Sequence, residues 1–348
     1  MTSQANSSPS KIFLHKPKKQ IEAFPDKSLD EIAKSRKTEL KAQYGGNIPK
    51  RFLNNWDQVR IYHATGQPEK AFGLCLDPNE GAYDVRNKLN ALTGKEWVKF
   101  SSSWFIFNAL QEDIKAEKSV SLELAEHPAT YSPTMIADFI RFFTKEGARV
   151  LDPFSGIGST VEACQRTGRI GIGVELNEKY AALSKLRLRD GVSRVVNANS
   201  LELSKLNLGK FDFSISSPPY WDVLNRSTKD FENSRNSRNL DVKYSDSNLD
   251  LGNIESYEEF IQTLTRLYVQ VLDSLNPGSY MVVIVKNVKK GGKLYPLAWD
   301  LARELGPFCE LKDEKIWIQD KVALAPYGYP NSWTSNIIHH YCLVFRKA

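Results

Sequence analysis

Residues 149–160 read Arg149-Val150-Leu151-Asp152-Pro153-Phe154-Ser155-Gly156-Ile157-Gly158-Ser159-Thr160. Arg149 to Asp152 predicts a short apolar strand, the two glycines a turn, and Thr160 to Thr167 a helix that Gly168 ends. Gly156 and Gly158 let the backbone come close to a ligand, and a helix start offers N–H groups to a carboxylate or phosphate. Such a turn also serves dinucleotides, so the following strand has to discriminate. Ile170 to Glu175 ends in an acid twenty-three residues after Asp152, placed to accept both hydroxyls of a ribose. The third glycine of a dinucleotide fingerprint is absent, because Thr160 and Val161 follow the turn. Ser159-Thr160 suits a small carboxylate better than a pyrophosphate, which favours adenosylmethionine over a nicotinamide cofactor.

Strand–helix alternation continues outward from this turn. Asn177 caps a helix to Arg189, and Arg194 to Asn197 and Phe211 to Ser216 are strands. Ser256-Tyr257-Glu258-Glu259 has the form of a capping box and opens an amphipathic helix to Leu275, with Pro277-Gly278 as its stop. Tyr280 to Val285 is apolar throughout and therefore central. A helix over Leu294–Glu304 and strands over Leu311–Ile318 and Tyr341–Phe345 follow. The expected fold is α/β, a doubly wound, seven-stranded, mostly parallel sheet over residues 118–348 with an N-terminal appendage. Within the appendage, residues 1–20 read as a disordered basic tail, and 28–42 as a charged helix broken by Gly45–Pro49. Residues 21–117 as a whole are a candidate DNA-contacting or target-recognition part.

The strand Phe211–Ser216 runs into Ser217-Pro218-Pro219-Tyr220. Two prolines fix φ near −65° and remove two backbone donors, leaving a stiff segment with outward carbonyls. An exocyclic amine is a poor nucleophile because its lone pair is delocalised into the ring. Acceptors against both of its N–H bonds, here the Ser217 hydroxyl and the Pro218 carbonyl, draw it towards tetrahedral geometry and free that pair. Tyr220 offers an aromatic face to a base swung out of its stack. Transfer to such an amine is an in-line displacement in which catalysis comes mainly from positioning.

On these two motifs the chain resembles the DNA amino-methyltransferases, which act on N4 of cytosine or N6 of adenine with S-adenosyl-L-methionine. The resemblance covers roughly residues 118–348. It implies that Asp152, Phe154, Ser155, Gly156, Gly158, Ser159 and Thr160 hold the methionine part of the cofactor and Glu175 its ribose. Asn199 stands where the family usually has an aspartate against the adenine, so that contact becomes a neutral amide. His127 to Thr134, with Tyr131, loosely resembles the segment that helps hold the methionine carboxylate. Ser217, Pro218, Pro219 and Tyr220 are then the catalytic set, and a serine in first place tilts the target towards cytosine N4. Adenine N6 stays open, as does an RNA or protein amine methylated by the same Pro-Pro chemistry. Carbon-5 methylation needs a thiolate, by family habit after a proline, and none of Cys75, Cys164, Cys309 and Cys342 follows one. The order of the motifs, cofactor turn first, marks one of several circularly permuted subgroups. DNA is the implied partner, with a cognate restriction endonuclease by analogy.

Composition agrees with this class. The chain has 348 residues, 41% hydrophobic and 25% charged, with no apolar run long enough for a membrane span and no secretory leader, so a cytoplasmic protein is expected. The cysteines show neither disulfide nor zinc spacing and read as buried small apolar residues; no metal is expected. Residues 1–60 hold twelve Lys/Arg against six acids, which accounts for the whole net charge of +6 and suits phosphate contact. The polar stretch Trp221–Ile254 is the second candidate for target recognition. Tyr327-Gly328-Tyr329 and Trp333 are candidates for lining a DNA cleft. His339 and His340, pointing to opposite faces of a strand, read as polar strand residues.

Overall fold

The computed structural model describes residues 38, 42, 74–77, 81–83, 87–107, 131–221 and 251–348. The chain divides into two compact units, Met1–Ser102 and Ser103–Ala348. In the first, β1 (Leu74–Asp77) pairs antiparallel with β2 (Gly81–Tyr83). Helix α1 (Gly94–Phe100) follows, opened by a complete capping box between Thr93 and Glu96. The basic segment within residues 1–60, the 28–42 helix (Thr38 and Ala42 apart), residues 127–130 and residues 222–250 lie outside the described residues.

The second unit is built on an eight-stranded sheet with helices. Its strands are β3 (Trp104–Ile106), β4 (Arg149–Asp152), β5 (Ile170–Glu175), β6 (Arg194–Asn197), β7 (Phe211–Ser216), β8 (Leu275–Val285), β11 (Glu310–Ile318) and β12 (His339–Arg346). They lie side by side in the order β3-β11-β12-β8-β7-β4-β5-β6. The run from β8 to β6 is parallel, β12 is antiparallel to both of its neighbours, and β3 is parallel to β11. The expected seven strands are all present, and β3 is an eighth. Three residues long, it carries no period of its own and is held by its pairing to Ile316–Ile318.

The helices are α2 (Pro133–Phe143), α3 (Ser159–Arg166), α4 (Glu178–Lys185), α5 (Tyr257–Ser274) and α6 (Leu297–Leu305). Ser132 caps α2 through the amides of Thr134 and Met135, with Pro133 pre-set in the first turn. Phe260, Leu264, Leu267, Tyr268 and Val271 recur at helical spacing on α5 and are all buried against the sheet. Phe213 of β7 is fully buried and stacks on Phe143 of α2 at 5.2 Å. Truncating it to alanine is expected to cost about 3–5 kcal/mol.

Three boundaries differ from the sequence reading for identifiable reasons. Pro277 and Gly278, read as the stop between helix and strand, sit inside β8, which starts at Leu275; there the register against β7 jumps from Phe211–Leu275 to Phe213–Tyr280 and Gly278 takes φ 77°. Helix α4 stops at Lys185 because the chain turns Arg187 inward to donate to the Ile157 carbonyl at 2.9 Å. Helix α6 begins at Leu297, since Lys293–Tyr295 form β10 and pair with β9 (Val288–Lys290) in a tight hairpin.

Candidate active site

The sheet changes direction between β4 and β7. From β4 the chain winds outward through β5 to β6, then returns to the other side of β4 as β7 and continues to β8. Ligands of open α/β sheets bind at the carboxyl ends of the strands where the order reverses. Those two strand ends carry Asp152-Pro153-Phe154-Ser155-Gly156-Ile157-Gly158 and Ser217-Pro218-Pro219-Tyr220, and Leu151 lies directly beside Ser214. Both sequence motifs thus open into one crevice.

On the β4 side, Asp152 is completely buried and both of its carboxylate oxygens are engaged. Oδ1 accepts from the Phe154 amide at 2.9 Å, and Oδ2 from the Tyr131 hydroxyl at 2.7 Å and the Thr160 hydroxyl at 2.5 Å. Burial pushes the Asp152 carboxyl upward, and the bonds from Thr160, Tyr131 and Phe154 oppose it. Asp152, Tyr131 and Thr160 therefore act first as the clamp of the turn. The amides of Ser155 and Gly158 bond to the carbonyls of Val174 and Ser155, at 3.0 and 2.8 Å. Gly158 precedes α3 at φ 85°, and a Cβ there would lie 2.1 Å from Ser184 Oγ. With no side chain at that cap, the first turn of α3 is left for an anionic ligand. The Ser155, Ser159 and Ser184 hydroxyls are buried beside the turn without a hydrogen-bond partner, an arrangement that a polar ligand would complete.

Glu175 closes the pocket at the end of β5. Its Oε2 accepts from the Gly156 amide at 2.7 Å and its Oε1 from the Asn177 amide at 2.8 Å, which fixes the carboxylate at the end of β5. Asn199, after β6, spends Oδ1 on the Leu201 amide at 2.9 Å, so its amide group is what it turns to a ligand. These donors and acceptors fit an adenosine joined to an amino-acid carboxylate. Arg187, which steadies the turn through Ile157, and Ser184 are contributors that the motifs do not reveal.

On the β7 side, Ser217 Oγ lies 3.3 Å from the Tyr220 hydroxyl. Burial pushes the Tyr220 phenol far above its usual range, the Ser217 bond opposing, so it stays protonated at neutral pH. Ser216 bonds Tyr268 of α5 at 2.9 Å, and the Tyr268 ring meets Phe154 edge-on at 6.4 Å. Phe154–Tyr268–Ser216 is a bridge between the two motifs that no local pattern announces. The Tyr220 ring also faces His340, centroids 6.0 Å apart, and His340 stacks on Trp317 at 4.5 Å. His340 is therefore buried beside the site, more than a plain strand residue, while His339 packs on Tyr341. Trp221 is buried against Tyr257 and Tyr295. Cys164, Cys309 and Cys342 are buried free thiols, as expected for those three.

The family model described as DNA methylase, of the N6/N4 type, matches residues 8–186, just over half of the chain. The chain belongs to the N6/N4 DNA methylase family. Among curated relatives it is 40% identical over 62 residues to the type II methyltransferase M.SmaI of Serratia marcescens, 18% of this chain and 21% of that one. It is 39% identical over 70 residues to M.XycI of Xanthomonas campestris pv. cyanopsidis, 20% of this chain and 23% of that one. The aligned stretches thus span under a quarter of these relatives. Among solved structures, TrmN from Thermus thermophilus superposes with a TM-score of 0.43 at 16% identity, over 67% of this chain and 53% of that one. A TehB-like SAM-dependent methyltransferase from Corynebacterium glutamicum gives 0.37 at 14% identity, over 69% and 100%. Methylases of this family take their methyl group from S-adenosylmethionine, and the residues at the β4 and β5 ends fit that molecule.

Proposed function

We propose that this family member transfers a methyl group from S-adenosylmethionine to the exocyclic N4 amine of cytosine in DNA. The observation that carries the reading is the adjacency of the two motifs on β4 and β7 at the reversal of the sheet. The α3 amino end and the Ser155 and Ser159 hydroxyls would take the methionine carboxylate, Glu175 the ribose, and Asn199 the adenine. When bound, the cofactor supplies a methyl group made electrophilic by its sulfonium. The residues of β7 prepare the amine. Ser217 and Tyr220 share a hydrogen bond in which either hydroxyl can donate; with Ser217 as donor its lone pairs would accept one amine N–H, and the Pro218 carbonyl would accept the other. Tyr220 stacks on the base and keeps its plane fixed. The amine held by Ser217 and Pro218 would take up that methyl group in line and lose one proton to water.

The +6 excess within residues 1–60 supports phosphate contact, and residues 21–117 with Trp221–Ile254 are the proposed target-recognition parts. A cytoplasmic role beside a nuclease reading the same site is part of the proposal. The test is transfer of labelled methyl from S-adenosylmethionine to plasmid DNA, RNA or protein, followed by nucleoside analysis. N4-methylcytosine is expected. N6-methyladenine would move the target to adenine, and label in RNA or protein alone would remove DNA as substrate. Ser217→Ala should lower transfer by about 100-fold or more while cofactor affinity stays within about threefold.

A further inference from the structure

Val285 and Tyr341 face each other at the end of the β8–β12 ladder, and both pack into the core shared with α5. Side chains alternate along a strand, so the next residue on each, Lys286 and His340, turns to the opposite face. Ser216 bonds Tyr268 within that same core, so Ser217 also turns away from it. The ends of β7 and β8 and the start of β12 thus bring Ser217, Lys286 and His340 to one face at the carboxyl edge of the sheet. Tyr220 joins two of them, since it bonds Ser217 and sets its ring against the His340 imidazole. Lys286 is near enough for its charge to act on that imidazole.

Neither side chain is there for the fold. His340 is 7% exposed, and its Nδ1 is buried without a hydrogen-bond partner. Its ring is held in place, stacked on Trp317, whose indole N–H donates to the Phe107 carbonyl at 3.1 Å. A phenylalanine would stack on Trp317 equally well and strand no polar nitrogen. Lys286 is half-buried, and among the described residues its ammonium makes no hydrogen bond and no ion pair. Burial pushes that ammonium below its usual range, and no acid opposes the shift. Two unspent polar groups on the face of the Pro-Pro motif call for a ligand that offers acceptors. Cytosine does so. With both N4 protons held by Ser217 and Pro218, the polar atoms left on that edge are N3 and O2, and both accept. Adenine has one acceptor beside its amine, N1, and then a C–H.

We infer that His340 and Lys286 read the edge of the target base beside the reacting amine, the imidazole donating to N3 of cytosine and the ammonium to O2. The inference rests on the proposed activity and adds what separates cytosine from adenine at this site. Against adenine the Lys286 ammonium meets a C–H and stays desolvated without a partner, the kind of mismatch that discriminates strongly. The test measures kcat/KM for methyl transfer to short duplexes built on the sequence that plasmid methylation identifies. The target position carries cytosine, 3-deazacytosine, which has a C–H in place of N3, or adenine. The preference of the wild type for cytosine over 3-deazacytosine should fall about tenfold or more in His340→Phe and persist in His340→Gln, whose amide still donates. The preference for cytosine over adenine should fall about 100-fold in Lys286→Met and stay within about threefold of wild type in Lys286→Arg. Wild-type thermal midpoint and cofactor affinity are expected in the Lys286 variants, which keeps the test decisive if His340→Phe misfolds. A merely structural role lowers transfer to every base alike, so a preference unchanged in either variant would overturn that residue's contact and leave the activity standing. N6-methyladenine as the wild-type product would overturn the Lys286 contact together with cytosine as the target. A wild-type protein that methylates no DNA would overturn the proposed activity and this inference with it.

Discussion

The ends of β4 and β7 are neighbours in the sheet and are built on opposite plans. At the end of β4 both oxygens of a fully buried carboxylate are held by three donors, the glycine turn is tied to β5 by backbone bonds, and Arg187 steadies its centre. At the end of β7 two prolines withhold their amide donors, and Ser217 meets Tyr220 at a loose 3.3 Å. At the first end the turn is fixed before any ligand arrives, and among the described residues only the Ser155, Ser159 and Ser184 hydroxyls beside it lack a partner. In the proposed reaction the second has to keep acceptors for the substrate, because an acceptor already satisfied cannot pull on an amine.

The contrast can be broken most directly at Asp152. Asp152→Ala leaves the Phe154 amide and the Tyr131 and Thr160 hydroxyls without their acceptor, and should cost about 3–5 kcal/mol in denaturant unfolding. A loss under about 1 kcal/mol would show that the turn holds without its clamp. The next test lies on the β7 side, at His340. Burial, with the charges of Lys286 and His339, pushes its imidazole from 6.5 down to about 3. Above pH 6.5 it is neutral in both folded and unfolded chains; below it the unfolded chain takes up a proton that the folded one refuses. Stability should therefore fall as the pH drops, by about 3 kcal/mol from this group at pH 4.5. His340→Phe should flatten that part of the profile, and an unchanged profile would remove His340 as its source.

A smaller effect is expected at Gly158, where alanine must adopt φ 85° and meet Ser184 Oγ at 2.1 Å. Gly158→Ala should cost about 2 kcal/mol and weaken cofactor binding measured by calorimetry, while Ser184→Gly in the same chain relieves the collision but not the backbone strain. The least is expected from Tyr268→Phe, which deletes one hydroxyl from the bridge between the two ends. It should cost about 1 kcal/mol and lower transfer more than cofactor affinity. Equal losses in both would place Tyr268 wholly on the cofactor side.

Most of the sheet was readable because its strands are bounded by residues with strong local habits. Gly168 precedes β5, Asn177 caps α4, and Pro218 ends β7, and these limits agree with the structure. The two motifs were legible for the same reason. What escaped depends on partners far along the chain. Strand β3 exists through β11, two hundred residues away, and Tyr268 reaches Ser216 across 52 positions. The Gly291-Gly292 hairpin has a local signal in its two-residue turn, but Leu294 extends the apolar pattern of α6 backwards and covers it.

The placement of β7 beside β4 carries a consequence for how such chains can be rearranged. The crevice is made by two strands that touch side by side, Val150 with Phe213 and Leu151 with Ser214, and no peptide bond inside it joins one motif to the other. Everything from Ile157 to Lys210 is an excursion that leaves one lip and returns to the other. A gene cut within that excursion and rejoined elsewhere would encode the motifs in reverse order without breaking the strand pairing that sets them side by side. Geometry here is inherited from neighbours in space, and chain order is free to drift.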